Sequence, residues 1–461
     1  MKRLILSLAL AACLPAYAQT PAAAPKAPTA AEMAQQIEQI ELAPMAEQVA
    51  RSFEARGDLE NATLAWARAV KLRPHIGRYK VELAAVYALR GMKSESYNAL
   101  LELQQQGYAF DIKGDQRFAK VTDTEVWGYI LQAFDANRVP FGEGKLAYTL
   151  PKQHELIESV AWDASRKQLL VGSAREGKVF RVGNDGSLTV LASADKDNGM
   201  WSVFDLAVDA KRGVLWVAST AVPHYQGYKA ETDLGRAGVF KFDLKTGKFL
   251  KKFLSPTMVG QSFFMSTLAL GKDGEVYAAD GVNNAVYQVR DDQFRRLFHA
   301  PKLGSIRGLA VSSDGKTLFV GDHERGVIGY DLATGKPFDI AVPKNLALGG
   351  IEAVAWHEGH LILVQNDMEP RRVMRVKLSD DRRMVTEVTP LLASQPEVTL
   401  PTLGTLADNQ FYFIANSQKG NYDRFGLVND KSKLEGTRIY QIDAAFKAAK
   451  PSYTPATKPP G

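Results

Sequence analysis

Two patterns of hydrophobic and polar positions divide the chain. Over residues 32–138 apolar side chains recur at helical spacing, and small residues punctuate them at regular intervals. Phe53, Gly57, Asp58, Ala62, Trp66, Ala69 and Pro74 mark one pair of helices, and Tyr87 and Gly91 repeat Phe53 and Gly57 34 residues later. Small residues at Gly57, Ala62 and Ala69 let paired helices approach, Phe53 and Trp66 fill the groove, and Pro74 stops the second helix. A second, weaker copy has Ser96 where Ala62 stood, and a helix opening at Thr122 reads as its cap. From Lys145 the texture changes to short apolar strands. Ile157–Trp162 leads to Leu169–Ser173 and then Lys178–Val182; Ile306–Val311 leads to Leu318–Asp322 and then Gly326–Asp331. Matching openings start at Val203, Met265, Ile351 and near Pro401. Lys272-Asp273-Gly274, Ser313-Asp314-Gly315 and Ala333-Thr334-Gly335 supply hairpin turns.

The first pattern resembles tetratricopeptide repeats, whose period is 34 residues. The second reads as six units of four strands each, the blades of a propeller. The fold class expected is therefore multidomain: tetratricopeptide-type α-helical repeats followed by an all-β, six-bladed β-propeller. The last unit stops after its third strand, Arg438–Ile442, while a spare strand, Lys145–Leu150, precedes the first; pairing the two closes the ring and removes an exposed edge. The helical region takes 32–138 and the propeller 145–446. Between them Pro140, Gly142 and Gly144 mark a boundary that is separable unless the last helix docks onto the propeller. Residues 19–31 and 447–461 are rich in Ala and Pro, and read as a linker and a disordered tail.

Composition narrows the setting. Lys2 and Arg3, an apolar run over 4–14 and Ala16-Tyr17-Ala18 form a signal peptide over 1–18, so the chain is expected to be exported, and periplasmic in a Gram-negative cell. The run ending at Cys13 also resembles a lipoprotein box, but the short apolar stretch favours cleavage after Ala18. Cys13 is the only cysteine, so the mature chain would hold no disulfide and no thiolate site. Net charge is +6, falling to +4 without Lys2 and Arg3, with both signs interspersed; nucleic acid is disfavoured as a partner, and the apolar run is too short for a transmembrane segment.

Strand parity locates a site. The starts of the first strands and the loops after the second strands fall on one face. The equivalent starts are Glu158, Phe204, Ser266, Arg307, Glu352 and Thr402. The loops hold Asp280 and Asn283, Asp322 and His323, Asn366 and Asp367, and Asn416. Two loops on this rim are long, 220–236 with His224, Tyr225 and Tyr228, and 417–435. The ligand-binding candidates are Glu158, Arg307, Glu352, His224, Tyr225 and Trp201. Each has a plainer reading: Glu158 as a strand-start hydrogen-bond acceptor, Arg307 with Glu352 as a structural ion pair, His224 as a surface residue, Trp201 as packing between blades.

Here the chain resembles the gluconolactonase, senescence-marker and luciferin-regenerating-enzyme superfamily of propellers, close to NHL-type repeats. Its best local piece is Ile157-Glu158-Ser159-Val160-Ala161-Trp162-Asp163, similar to an opening Glu-Gly-Pro-x-Trp-Asp. The resemblance implies a divalent cation (Ca, Zn, Mg or Mn) on Glu158, with an Asn and an Asp from later blades, polarising a lactone carbonyl. Ser266 and Arg307 stand at the later starts, and an arginine there would repel a cation. Only Glu158 carries over as a metal ligand, with Glu352 a possible substitute. Two functions follow. One is a scaffold that binds a protein or peptide partner on its tetratricopeptide helices and a small polar ligand at the propeller rim. The other is a divalent-metal-dependent lactonase or hydrolase acting on a sugar lactone or related ester. The departures from the metal pattern favour the first.

Overall fold

The computed structural model describes residues 28–256 and 260–445. The expected signal peptide, Cys13, most of the linker and the tail lie outside the described residues. Helices α1 (Ala30–Glu38), α2 (Ala43–Ala55), α3 (Leu59–Leu72), α4 (Gly77–Leu89), α5 (Lys93–Gln105) and α6 (Glu125–Arg138) come first. α2 packs on α3, with Ala50, Phe53, Ala62, Trp66 and Ala69 all buried in one core. α4 packs on α5, where Ser96 is fully buried and its Oγ donates to the Ala84 carbonyl at 2.9 Å. That bond satisfies the hydroxyl, so a serine is tolerated at the alanine position of the repeat. The arrangement fits a tetratricopeptide-like region. None of the helices among the described residues is long and apolar enough to cross a membrane.

The strands make six four-stranded antiparallel sheets among the described residues, a six-bladed β-propeller. The innermost strands are Ile157–Asp163, Ser202–Asp209, Met265–Leu270, Ile306–Val311, Ile351–His357 and Gly404–Ala407. Turn chemistry sets the hairpins: Gly315 and Gly335 adopt φ of 74° and 70°, conformations that a side chain would strain. The spare strand Lys145–Thr149 pairs with Arg438–Asp443, from Lys145 opposite Gln441 to Thr149 opposite Arg438. The last blade is thus completed by the first strand of the propeller, and its edge is covered.

The helices dock on the propeller and share a core with it. Ala347 and Met368, from two propeller loops, join Tyr108, Ile112 and Phe134 in one buried cluster. Ala109 N donates to the Glu369 carbonyl at 2.9 Å, and Gln106 Nε2 to the Lys344 carbonyl at 2.9 Å. Arg372 is buried at this seam, donating to Gln106 O at 2.5 Å, to Gln365 Oε1 at 2.8 Å and to Ala347 O at 3.2 Å. Burial pulls its guanidinium down to about 10, yet it stays charged because every partner is an acceptor. Ser394 Oγ adds a bond to the Asn137 carbonyl near the end of α6. Of the two arrangements open from the sequence, the structure adopts docking.

Candidate functional site

Five blades carry the same irregularity where the innermost strand begins. The ladder to the second strand skips one residue between Ile157 and Ser159, Val203 and Asp205, Met265 and Thr267, Ile306 and Gly308, and Ile351 and Ala353. The skipped residues are Glu158, Phe204, Ser266, Arg307 and Glu352. A β-bulge frees its extra residue from the ladder and re-aims its side chain. Ring symmetry therefore repeats one out-of-ladder position around the axis, and the sequence decides what chemistry fills it.

The structure brings Glu158, Arg307 and Glu352 together. Glu352 is buried, and its Oε1 takes Lys419 Nζ at 3.0 Å and Arg307 Nη1 at 3.4 Å. Both cations keep 39% of their side-chain surface, against 9% for Glu352. Burial would push the Glu352 carboxyl up, but the Lys419 ammonium and the Arg307 guanidinium outweigh it and hold the group below the ordinary carboxylate range. Glu158 differs. Burial pushes it up to about 7, with Lys419 and the Ser417 hydroxyl, which donates to Oε1 at 2.7 Å, only partly opposing the shift. Near neutral pH two cations thus face one ionised carboxylate and one carboxyl that is partly neutral. The mouth carries surplus positive charge.

Ser417 and Lys419 come from the insertion 417–435, which folds across this rim. Its Tyr422 and Leu434 pack with Leu156 and Ala174, and Tyr422 Oη donates to Glu155 Oε2 at 3.1 Å. The other insertion meets it: Arg175 Nη1 donates at 3.0 Å to the carbonyls of both His224 and Gly426. The His224 ring lies 6.1 Å from that of Tyr422, and burial with the Arg175 charge lowers its pKa, so it is neutral at pH 7. Trp201 is buried between the first two blades, edge-on to Phe240 with ring centroids 6.0 Å apart. Tyr225 packs against the same cluster. Neither ring is among the groups gathered around Glu352. Lys419 and Ser417 were not singled out from the sequence; the length of their loop was the one signal pointing to them.

The loop residues expected on this rim divide by role. Asp280 accepts from Phe264 N, Val282 N and Asn283 N, and Asp322 from Gly304 N, Ser305 N, Glu324 N and Arg325 N, so both fix turns. Asp205, next to the second bulge, is fully committed as well, to Leu206 N, Leu268 N and Thr267 Oγ1 at 2.7–2.9 Å, and burial pushes it up to about 7. It stands on the wall of a channel of about 370 Å³ lined by the innermost strands.

The groups at the mouth do not suit a divalent ion. An ammonium and a guanidinium already share the Glu352 oxygen, and Ser266 Oγ is spent on the Ile306 carbonyl at 3.0 Å. Hard cations need ionised oxygen donors free of competing positive charge.

No family model matches the chain, and no curated protein matches it. Solved structures that match include a gluconolactonase from Xanthomonas campestris, 14% identical over 65% of this chain and 89% of that one, with a TM-score of 0.43. Another is the PQQ-bound aldose sugar dehydrogenase from Streptomyces coelicolor, 16% identical over 66% and 99%, also at 0.43. A luciferin-regenerating enzyme is 12% identical over 66% and 95%, with the same score. No residue role transfers to this chain from them.

Proposed function

We propose that this protein is an exported binding scaffold whose propeller mouth takes the anionic group, a carboxylate, of a small polar molecule, while its tetratricopeptide-like helices offer a surface to a protein or peptide partner. The observation that carries the reading is the surplus of cation at the mouth: Arg307 and Lys419, both partly exposed, share the single ionised carboxylate of Glu352. A guanidinium in that position has donors left for a bidentate carboxylate. Docking of the helices fixes the two surfaces relative to each other rather than leaving them on a tether.

A second reading rests on Glu158. A buried carboxyl titrating near 7 has the proton affinity that general acid–base catalysis needs, so hydrolysis of a sugar lactone or related ester at the mouth is the alternative, run by this residue without a metal.

Titration with small carboxylates (acetate, pyruvate, gluconate), beside the neutral lactone of gluconate, separates the two. Binding of an acid that Arg307→Ala weakens by about 30-fold, equivalent to about 2 kcal/mol, supports the scaffold. Lactone turnover abolished by Glu158→Gln supports the hydrolase. Equal affinity in wild type and Arg307→Ala would overturn the first reading.

A further inference from the structure

His75 lies on the turn between α3 and α4, where the helices meet the propeller, and only 1% of it is exposed. Both of its ring nitrogens are buried and neither makes a hydrogen bond. A buried imidazole without a hydrogen bond is costly, and an apolar side chain of the same size would be cheaper. Yet the surroundings are cut to fit the ring. Gly349 packs on it so closely that a Cβ there would stand 2.1 Å from the imidazole Cγ. The His323 ring meets it edge-on, with centroids 6.1 Å apart. What the nitrogens face is a set of further donors. One ligand atom each from His75, His323 and Glu324 lie within 4.8 Å of one another. Asp367 Oδ2 adds a fourth, 3.7 Å from His75 Nε2.

We propose that these residues form a zinc-class metal site that clamps the helical region to the propeller. Two imidazoles and one or two carboxylates are the donor set of Zn²⁺ and similar borderline ions rather than of calcium or magnesium. In a tetrahedral site the donors stand about 3.3 Å apart, so binding draws them together by side-chain rotation of about an ångström. Arg73 fits this arrangement. Its Nε lies 2.7 Å from Glu324 Oε2, which orients the carboxylate and leaves Oε1, 3.6 Å from His323 Nδ1, for the ion. Asp367 is about half exposed and gives the ion a route in. The donors come from three separate stretches, 75, 323–324 and 367, in both parts of the molecule, so the ion would bind the docked form alone and stabilise it by linkage. Its donors are not those of the mouth, although His323 lies near enough to Glu352 and Arg307 to feel both charges.

The test uses the full chain, dialysed against a chelator, with zinc chloride as the probe. Calorimetry should show one saturable site per chain at micromolar affinity or tighter, with a rise in melting temperature. His75→Leu and His323→Gln should each weaken binding by at least about 100-fold, beyond the loss typical of an outer-shell partner. Glu158→Gln should leave it unchanged. His323→Gln lies on the propeller, so the test stands even where His75→Leu impairs docking. Cobalt(II) in place of zinc should give the visible absorption of a tetrahedral site, lost in the same two variants. Absence of a saturable site below about 100 μM, or zinc binding that survives both substitutions, overturns the proposal.

Discussion

The channel mouth and the seam between helices and propeller are two clusters of ionisable groups that differ in how their charge is balanced. At the mouth, Glu352 is met by two cations of the chain, Arg307 and Lys419, and Glu158 sheds part of its charge by holding a proton. At the seam, Arg73 balances Glu324, but neither His75 nitrogen makes a hydrogen bond, and Asp367 Oδ2 stands 3.7 Å from Nε2. At the mouth two cations share one carboxylate oxygen, and the surplus charge points outward to an anion. A cluster with buried, unfilled nitrogen donors asks for a cation. Residue type alone does not separate the two, since both contain acidic residues on the same rim; the company of each carboxylate does.

The largest effect should come from removing the carboxylate that the mouth is built around. Glu352→Ala removes the anion shared by Arg307 and Lys419, and should cost about 2 kcal/mol in denaturant unfolding, up to about 1 kcal/mol for each of the two solvated pairs. Glu324→Ala, in chelator, should cost about 1 kcal/mol or less, because its partner Arg73 is 37% exposed and can turn to water. Equal costs at the two places would break the comparison.

A smaller effect, read by pH, belongs to the channel and its mouth. Glu158 and Asp205 both titrate near 7 in the fold, above the range of free carboxyls. Between about pH 4 and 7 the folded chain therefore binds more protons than the unfolded one. The stability they contribute is present below the ordinary carboxyl range and is lost as pH rises through about 7. Melting temperature should fall from pH 5 to pH 8, and Glu158→Gln or Asp205→Asn should flatten the slope. A melting temperature that rises across this interval would contradict the assignment of neutral-leaning carboxyls.

Most of the fold was legible in the sequence because the signals are local. Strand alternation, Asp-Gly turns and the 34-residue helical period each operate within a few dozen residues. Even the ring closure could be read, from one missing strand and one spare. Strand parity placed Glu158, Arg307 and Glu352 on a common rim, but the bulges that turn them out of the ladder left no mark in the residues themselves. Lys419 reaches Glu352 across 67 positions of sequence, and nothing near it announces the contact. His75 is silent for the same reason: its neighbours His323, Glu324 and Asp367 sit on propeller loops far along the chain, and its own turn looks like any other between paired helices. Trp201, just before the second blade's start, and Tyr225, in a rim insertion, read as ligand contacts by position, whereas burial of large rings between blades decides where they go.

The central claim is that Arg307 is surplus at the mouth, kept for a ligand rather than to neutralise Glu352. The coupling energy between the two in stability tests it most directly, from the unfolding of Arg307→Ala, Glu352→Ala and the double variant. Lys419 lies closer to the shared oxygen, 3.0 Å against 3.4 Å, and Arg307 is substantially solvated. The account predicts a coupling below about 1 kcal/mol, as for a solvated pair. A coupling of about 3 kcal/mol, with the double variant recovering most of the loss, would make Arg307 a structural counterion and remove the mouth as a binding site.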